Sequence, residues 1–150
     1  MFDMHARVRE IAEQETYSQH LGIEIVSVEA NRVILRLPYK SYLGTGRIHG
    51  GAISSVVDLA GTCACWAHPE LNNTYLGATL GFSINFLSLV KSVDLTADAQ
   101  VRRRGGSICV ADVSVSDGQQ YIRNRAVLYL YTPNRTVLYP IQTQSQSSIQ

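Results

Sequence analysis

The chain has 150 residues and a formal net charge of +1, with acids and bases interspersed. That length suits a single domain able to bury roughly two-thirds of its unfolded surface, and the balanced charge excludes a general nucleic-acid binder, which needs a strongly basic face. No uncharged stretch is long and apolar enough to span a membrane, and Asp3, Arg7, Arg9 and Glu10 interrupt any signal-peptide pattern, so a cytoplasmic protein is expected.

Met4, Val8, Ile11 and Ala12 fall at helical spacing and predict a short amphipathic helix over residues 3–15. Two strands follow. The first holds Ile23, Ile25, Val26 and Val28, and the second alternates through Val33, Leu35 and Leu37, with Ala30-Asn31 as the turn between them. Pro38 ends the pair, and residues 39–48 form a loop with two glycines. An apolar helix then runs through residues 52–66 to about His68, where Pro69 closes it. Leu80, Phe82, Ile84 and Phe86 alternate with smaller or polar residues and predict a strand over 80–86. A further strand carries Val93, Leu95, Ala97, Ala99 and Val101. Gly105-Gly106 is a hairpin signal leading into residues 108–116, and Asp117-Gly118 is another leading into 121–131. The domain covers residues 1–139, and residues 140–150, rich in Gln and Ser, form a polar, disordered tail.

This layout is α+β: a helix, two strands, a long helix, then four strands. A helix that is apolar nearly all round must be enclosed, here by a curved, mostly antiparallel sheet of about six strands.

The chemistry concentrates at the start of the long helix, in His49-Gly50-Gly51. Two glycines are poor helix formers, but they let a ligand approach bare backbone amides at a helix N-terminus. Asp58 is the only charge on the helix, and burying a carboxylate is costly unless it is paired or hydrogen-bonded. Each feature alone has a structural account: the glycines can permit a tight turn, and Ser54, Ser55 or Thr62 can satisfy Asp58. Together, at this spacing, they point to an active site. Cys63, Cys65 and Cys109 make no disulfide framework, and His5, His20, His49 and His68 show no metal-ligand spacing. The basic cluster Arg102-Arg103-Arg104 lies on a strand, where Arg102 and Arg104 are expected on one face and Arg103 on the other.

These residues resemble the hot-dog fold acyl-CoA thioesterases of the phenylacetate-degradation type. Gly46, His49, Gly50, Gly51 and Asp58 fall in register with the family's Asn-x-x-Gly-x-x-His-Gly-Gly and helix Asp. The similarity continues at Gly77-Ala78-Thr79, at Ser83-Ile84-Asn85-Phe86-Leu87 and through residues 101–105. Leu43 stands where the family usually has Asn, Gly81 replaces a frequent acid, and Leu89 a frequent Pro.

The resemblance implies hydrolysis of an acyl-CoA thioester to free acid and coenzyme A, with coenzyme A as part of the substrate and no separate cofactor or metal. It implies Gly50 as the oxyanion donor, Asp58 as base or nucleophile and Thr79 as the hydroxyl that orients it. His49 is a positioning residue or a helix cap. Gly51 and Leu43 adjoin the substrate, and Arg102 and Arg104 are candidates for the coenzyme A phosphates. A homodimer is expected, paired again into a tetramer. Gly50 and Asp58 are about 12 Å apart along one helix at 1.5 Å per residue, so one site needs Gly50 from one chain and Asp58 from another. The competing functions are a hot-dog dehydratase or hydratase and a non-catalytic acyl-CoA binding or regulatory module.

Overall fold

The computed structural model describes residues 2–72, 77–118, 121–122 and 128–131. The polar tail over 140–150 lies outside the described residues. The N-terminal helical region is longer than expected and comes in three pieces. Helix α1 is Met4–Arg9, a π-helical turn follows at Glu10–Gln14, and helix α2 is Thr16–Leu21. The break falls at Glu15, whose backbone is extended. Its carboxylate accepts from the amides of Tyr17 and Ser18 and so starts a new helix. Gly22, with φ of 72°, closes α2 in the left-handed conformation that glycine adopts most easily.

Strands β1 (Glu24–Glu29) and β2 (Arg32–Leu37) form a hairpin whose turn residue Asn31 has a positive φ of 64°. Helix α3 is Gly50–Trp66, followed by β3 (Leu95–Arg104) and β4 (Ile108–Ser116). Short strands β5 (Tyr121–Ile122) and β6 (Leu128–Tyr131) both pair with β4. Every pairing is antiparallel, in the order β1-β2-β3-β4.

The register explains how the sheet holds the helix. Val33, Leu35 and Leu37 of β2 stand opposite Ala99, Ala97 and Leu95 of β3, and Val115 and Val113 of β4 stand opposite the same alanines. All eight are buried. Two alanines in the central strand leave room for α3, which fills the groove with Ile53, Val56, Val57, Ala60 and Ala64. Each buried Val or Leu side chain contributes about 1.5–3 kcal/mol. This is the hot-dog arrangement, a long helix wrapped by an antiparallel sheet.

Two expectations need correction. Residues 80–86 join no strand pair among the described residues. They run as an extended segment with Leu80, Phe82 and Phe86 exposed, while Ile84 packs against the core. Their alternation is real, but among the described residues no strand is paired with them. The arginine cluster also departs from simple alternation. A bulge sets Val101 opposite Ala111 and Arg103 opposite Val110, so Arg102 is the inserted residue. Arg102 and Arg103 are therefore both exposed, whereas Arg104 turns inward beneath the far end of α3.

Candidate active site

The loop before α3 is built around backbone contacts that only glycine allows. The short 3-10 turn Ser41–Leu43 buries the Leu43 side chain, and the Leu43 carbonyl accepts from the His49 amide at 2.8 Å. A Cβ on Gly44 would lie 2.0 Å from the Arg47 carbonyl oxygen and 2.8 Å from the His49 nitrogen. Ile48 is buried, and its amide donates to the Val90 carbonyl at 3.1 Å, which ties the loop to the segment after residue 86.

His49 is the N-cap of α3. Its Nδ1 accepts from the Gly51 amide at 2.9 Å, and its carbonyl accepts from the Ala52 amide at 2.9 Å. With Nδ1 as acceptor, the neutral imidazole carries its proton on Nε2, so the free edge of the ring is a hydrogen-bond donor. Capping and positioning are thus compatible roles for one side chain. A Cβ on Gly51 would come 3.0 Å from His49 Nδ1, so glycine there keeps the cap close.

The Gly50 amide has no hydrogen-bond partner among the described residues. It sits at the positive end of the helix dipole and lines an apolar cleft of about 230 Å³ with Ile53, Phe86, Leu89 and Val90. Arg47 stands at the same cleft. A second cleft of about 350 Å³ lies on the other side of His49, between Tyr17, Tyr42 and Leu43.

Asp58 lies two turns along α3. It is half-buried rather than fully enclosed, and Thr79 Oγ1 donates to its Oδ1 at 2.6 Å. The nearby serines do not serve it. Ser54 donates to the Gly50 carbonyl at 2.9 Å and Ser55 to the Gly51 carbonyl at 2.8 Å, and the Tyr17 hydroxyl bonds Ser55 at 2.7 Å. The structure therefore brings Thr79 to Asp58 across 21 residues, and His49, Gly50 and Gly51 together at the helix start. It keeps these two groups at separate points on one helix.

The arginines are elsewhere. Arg102 pairs with Asp112 at 2.8 Å. Arg104 donates to the Cys65 carbonyl at 2.7 Å and to Asn31 Oδ1 at 3.1 Å, closing the C-terminal end of α3, opposite the Gly50 end. Trp66 is buried there too, beneath the Arg7 guanidinium at 4.6 Å. His68 follows, its pKa lowered by burial and by the Arg104 charge. The cysteines are buried away from the helix start, and burial pushes the Cys63 thiol up to about 12. Among the described residues, no group of three His, Cys, Asp or Glu side chains gathers as a metal ion needs, and no helix is long and apolar enough to cross a membrane.

Sequence reasoning passed over Tyr17 and Arg47, and read Phe86 only as part of a strand. Arg47 had a signal: it is the only Lys, Arg, Asp or Glu between Lys40 and Asp58.

Residues 45–122 match the thioesterase superfamily. The chain is 30% identical over 139 residues to a candidate esterase of Saccharolobus solfataricus, covering 89% of this chain and 91% of the relative. A candidate esterase of Halobacterium salinarum is 29% identical over 121 residues, covering 75% and 78%. Among solved structures, a conserved protein of Pseudomonas aeruginosa aligns with a TM-score of 0.74 at 25% identity, covering 83% of this chain and 98% of that one. A protein from the phenylacetic acid degradation operon of E. coli aligns with a TM-score of 0.69 at 23% identity, covering 86% and 91%.

Proposed function

The chain belongs to the thioesterase superfamily, and from that premise we propose that it hydrolyses an acyl-CoA thioester to the free acid and coenzyme A. The observation that carries this is the Gly50 amide, which has no partner among the described residues and lines an apolar cleft at the start of a helix whose only charge is Asp58. Attack on a thioester carbonyl puts negative charge on its oxygen. A fixed amide at a helix N-terminus stabilises that charge without reorganising, and one such donor is typically worth about 3–4 kcal/mol. The His49 Nε2–H is a second donor of the right kind, in a site where buried Leu43 stands in place of the Asn usual in the family.

Asp58 activates the attack. As a base it takes a proton from water while the oxygen adds to the carbonyl; the intermediate then expels the thiolate, which recovers that proton. As a nucleophile it adds directly, expels the thiolate and leaves an anhydride that water cleaves. Thr79 holds Oδ1 in place on either route and leaves the other oxygen to react. One turnover in ¹⁸O-water tests for the anhydride: label in the Asp58 carboxylate, from water attack on the Asp58 carbonyl, establishes the nucleophile route, because a base route labels the released acid alone.

Gly50 and Asp58 of one chain cannot meet at one carbonyl, so the reading requires a homodimer with the two helices antiparallel. The exposed Phe82, Phe86, Leu87 and Leu89 supply an apolar face for that pairing, and two such dimers can pair again. Of the two arginine candidates for the nucleotide, Arg102 is the more accessible, although it pairs with Asp112. Its side chain is exposed, while the Arg104 guanidinium is committed to Cys65 and Asn31.

The test is a panel of acyl-CoA esters followed by free thiol, enoyl absorbance and binding. Release of thiol from at least one ester is expected. Enoyl product without thiol would favour a dehydratase, and binding without either would favour a regulatory module.

A further inference from the structure

Arg7, Arg32, Arg36 and Arg102 each hold a carboxylate, and Arg104 is bound to Cys65 and Asn31. Arg47 is exposed, lines the 230 Å³ cleft beside Gly50, and has neither a hydrogen bond nor an ion pair among the described residues. Its backbone is nonetheless fixed. Its carbonyl packs against Gly44, and the next amide bonds Val90.

The surroundings give it no counter-ion. The two loops that form the rim, residues 38–49 and 86–93, carry Lys40, Arg47 and Lys91 and no acid at all. The acid that follows, Asp94, is taken up by Arg36 and by the Tyr39 amide at 2.7 Å. The cleft therefore has apolar walls and a guanidinium without an internal partner.

A substrate can bring an oxyanion here from two sources, a phosphate of coenzyme A or a carboxylate on the acyl group. Distance separates them. Arg47 precedes Gly50 by three residues and shares its cleft. The nearest phosphate stands at the end of the pantetheine arm, roughly 15 Å from the thioester when extended at about 1.2 Å per bond. A carboxylate a few carbons along a short acyl chain falls within the cleft itself. Resting on the thioesterase reading, we propose that Arg47 is the anion-recognising residue of this cleft and selects thioesters whose acyl group carries a carboxylate.

Glutaryl and pentanoyl esters, each on coenzyme A and on N-acetylcysteamine, test this, because the second carrier has no phosphate. The wild type is expected to favour glutaryl on both carriers by about ten- to hundredfold in kcat/KM, the range for a hydrogen bond to a charged group. Arg47→Gln should collapse that ratio, while Arg9→Gln, on the exposed side of α1, should keep it. A wild-type ratio near one, or a ratio indifferent to Arg47→Gln, overturns the proposal. A loss equal for both acyl groups and confined to coenzyme A esters assigns Arg47 to a phosphate and overturns it too. Calorimetry with glutarate reads the same contact without turnover. Binding that weakens about tenfold or more in Arg47→Gln, in a protein that hydrolyses none of the esters, sinks the thioesterase reading and leaves the anion site standing. Intact hydrolysis with no glutarate binding sinks the anion site alone.

Discussion

Asp58 and Thr79 form the contact on which the proposed chemistry turns. Asp58→Asn keeps the shape and removes the proton acceptor, so thioester turnover should fall by ~10²–10⁴-fold with the fold intact by circular dichroism. Near-normal rates would remove Asp58 from the mechanism. Thr79→Val removes only the hydroxyl that donates at 2.6 Å; kcat should drop by roughly tenfold or more while KM changes little. An unchanged kcat would make the bond incidental. The sequence showed Asp58 as the helix's only charge and placed Thr79 by resemblance. It could not show that Asp58 is half-open, because the groups around it come from distant parts of the chain.

Among the elements, α3 was the most legible. Its apolar run, its glycine start and the proline beyond its end all survive in the structure. The strands were legible where one face is buried and both edges are paired, as in β2 and β4. Residues 80–86 misled because alternation reports which way side chains point and says nothing of what lies alongside. The bulge at Arg102 was invisible for a similar reason: one inserted residue leaves no mark on local composition. At the C-terminal end of α3, burial and the nearby Arg104 charge favour neutral His68, whose Nδ1 accepts from the Glu70 amide. Its folded pKa lies below the ordinary 6.5, so the unfolded chain binds the proton first as pH falls. This contribution to stability is fully present above about pH 6.5 and declines as pH drops from there toward the folded value. Melting temperatures between pH 8 and 5 should show a decline that His68→Gln flattens. Identical profiles for both proteins would show that His68 does not drive it.

For the whole molecule, the decisive question is whether two chains share each site. Gly50→Pro removes the amide donor, and the helix should tolerate it. The position is the first of α3, where proline is favoured, and His49 already has φ of −67° and ψ of 139°, which a following proline requires. A Cβ at Gly50 would meet Phe86 at an ordinary 3.4 Å. Gly50→Pro and Asp58→Asn homodimers should each be inactive. Refolded as a mixture, they should regain activity, because each heterodimer holds one site with both groups intact. Verified heterodimers without activity would reject the shared site.

The exposed apolar segment has a consequence for the protein's behaviour in dilution. Leu80, Phe86, Leu87 and Leu89 are each at least half exposed on the single chain. If pairing covers them, part of the stability of each protomer is lent by its neighbour and obeys mass action. Melting temperature should then rise with protein concentration, and activity per chain should fall when the protein is diluted below its dissociation constant and return on reconcentration. A melting temperature flat across a hundredfold range of concentration would mean that each protomer holds its shape alone.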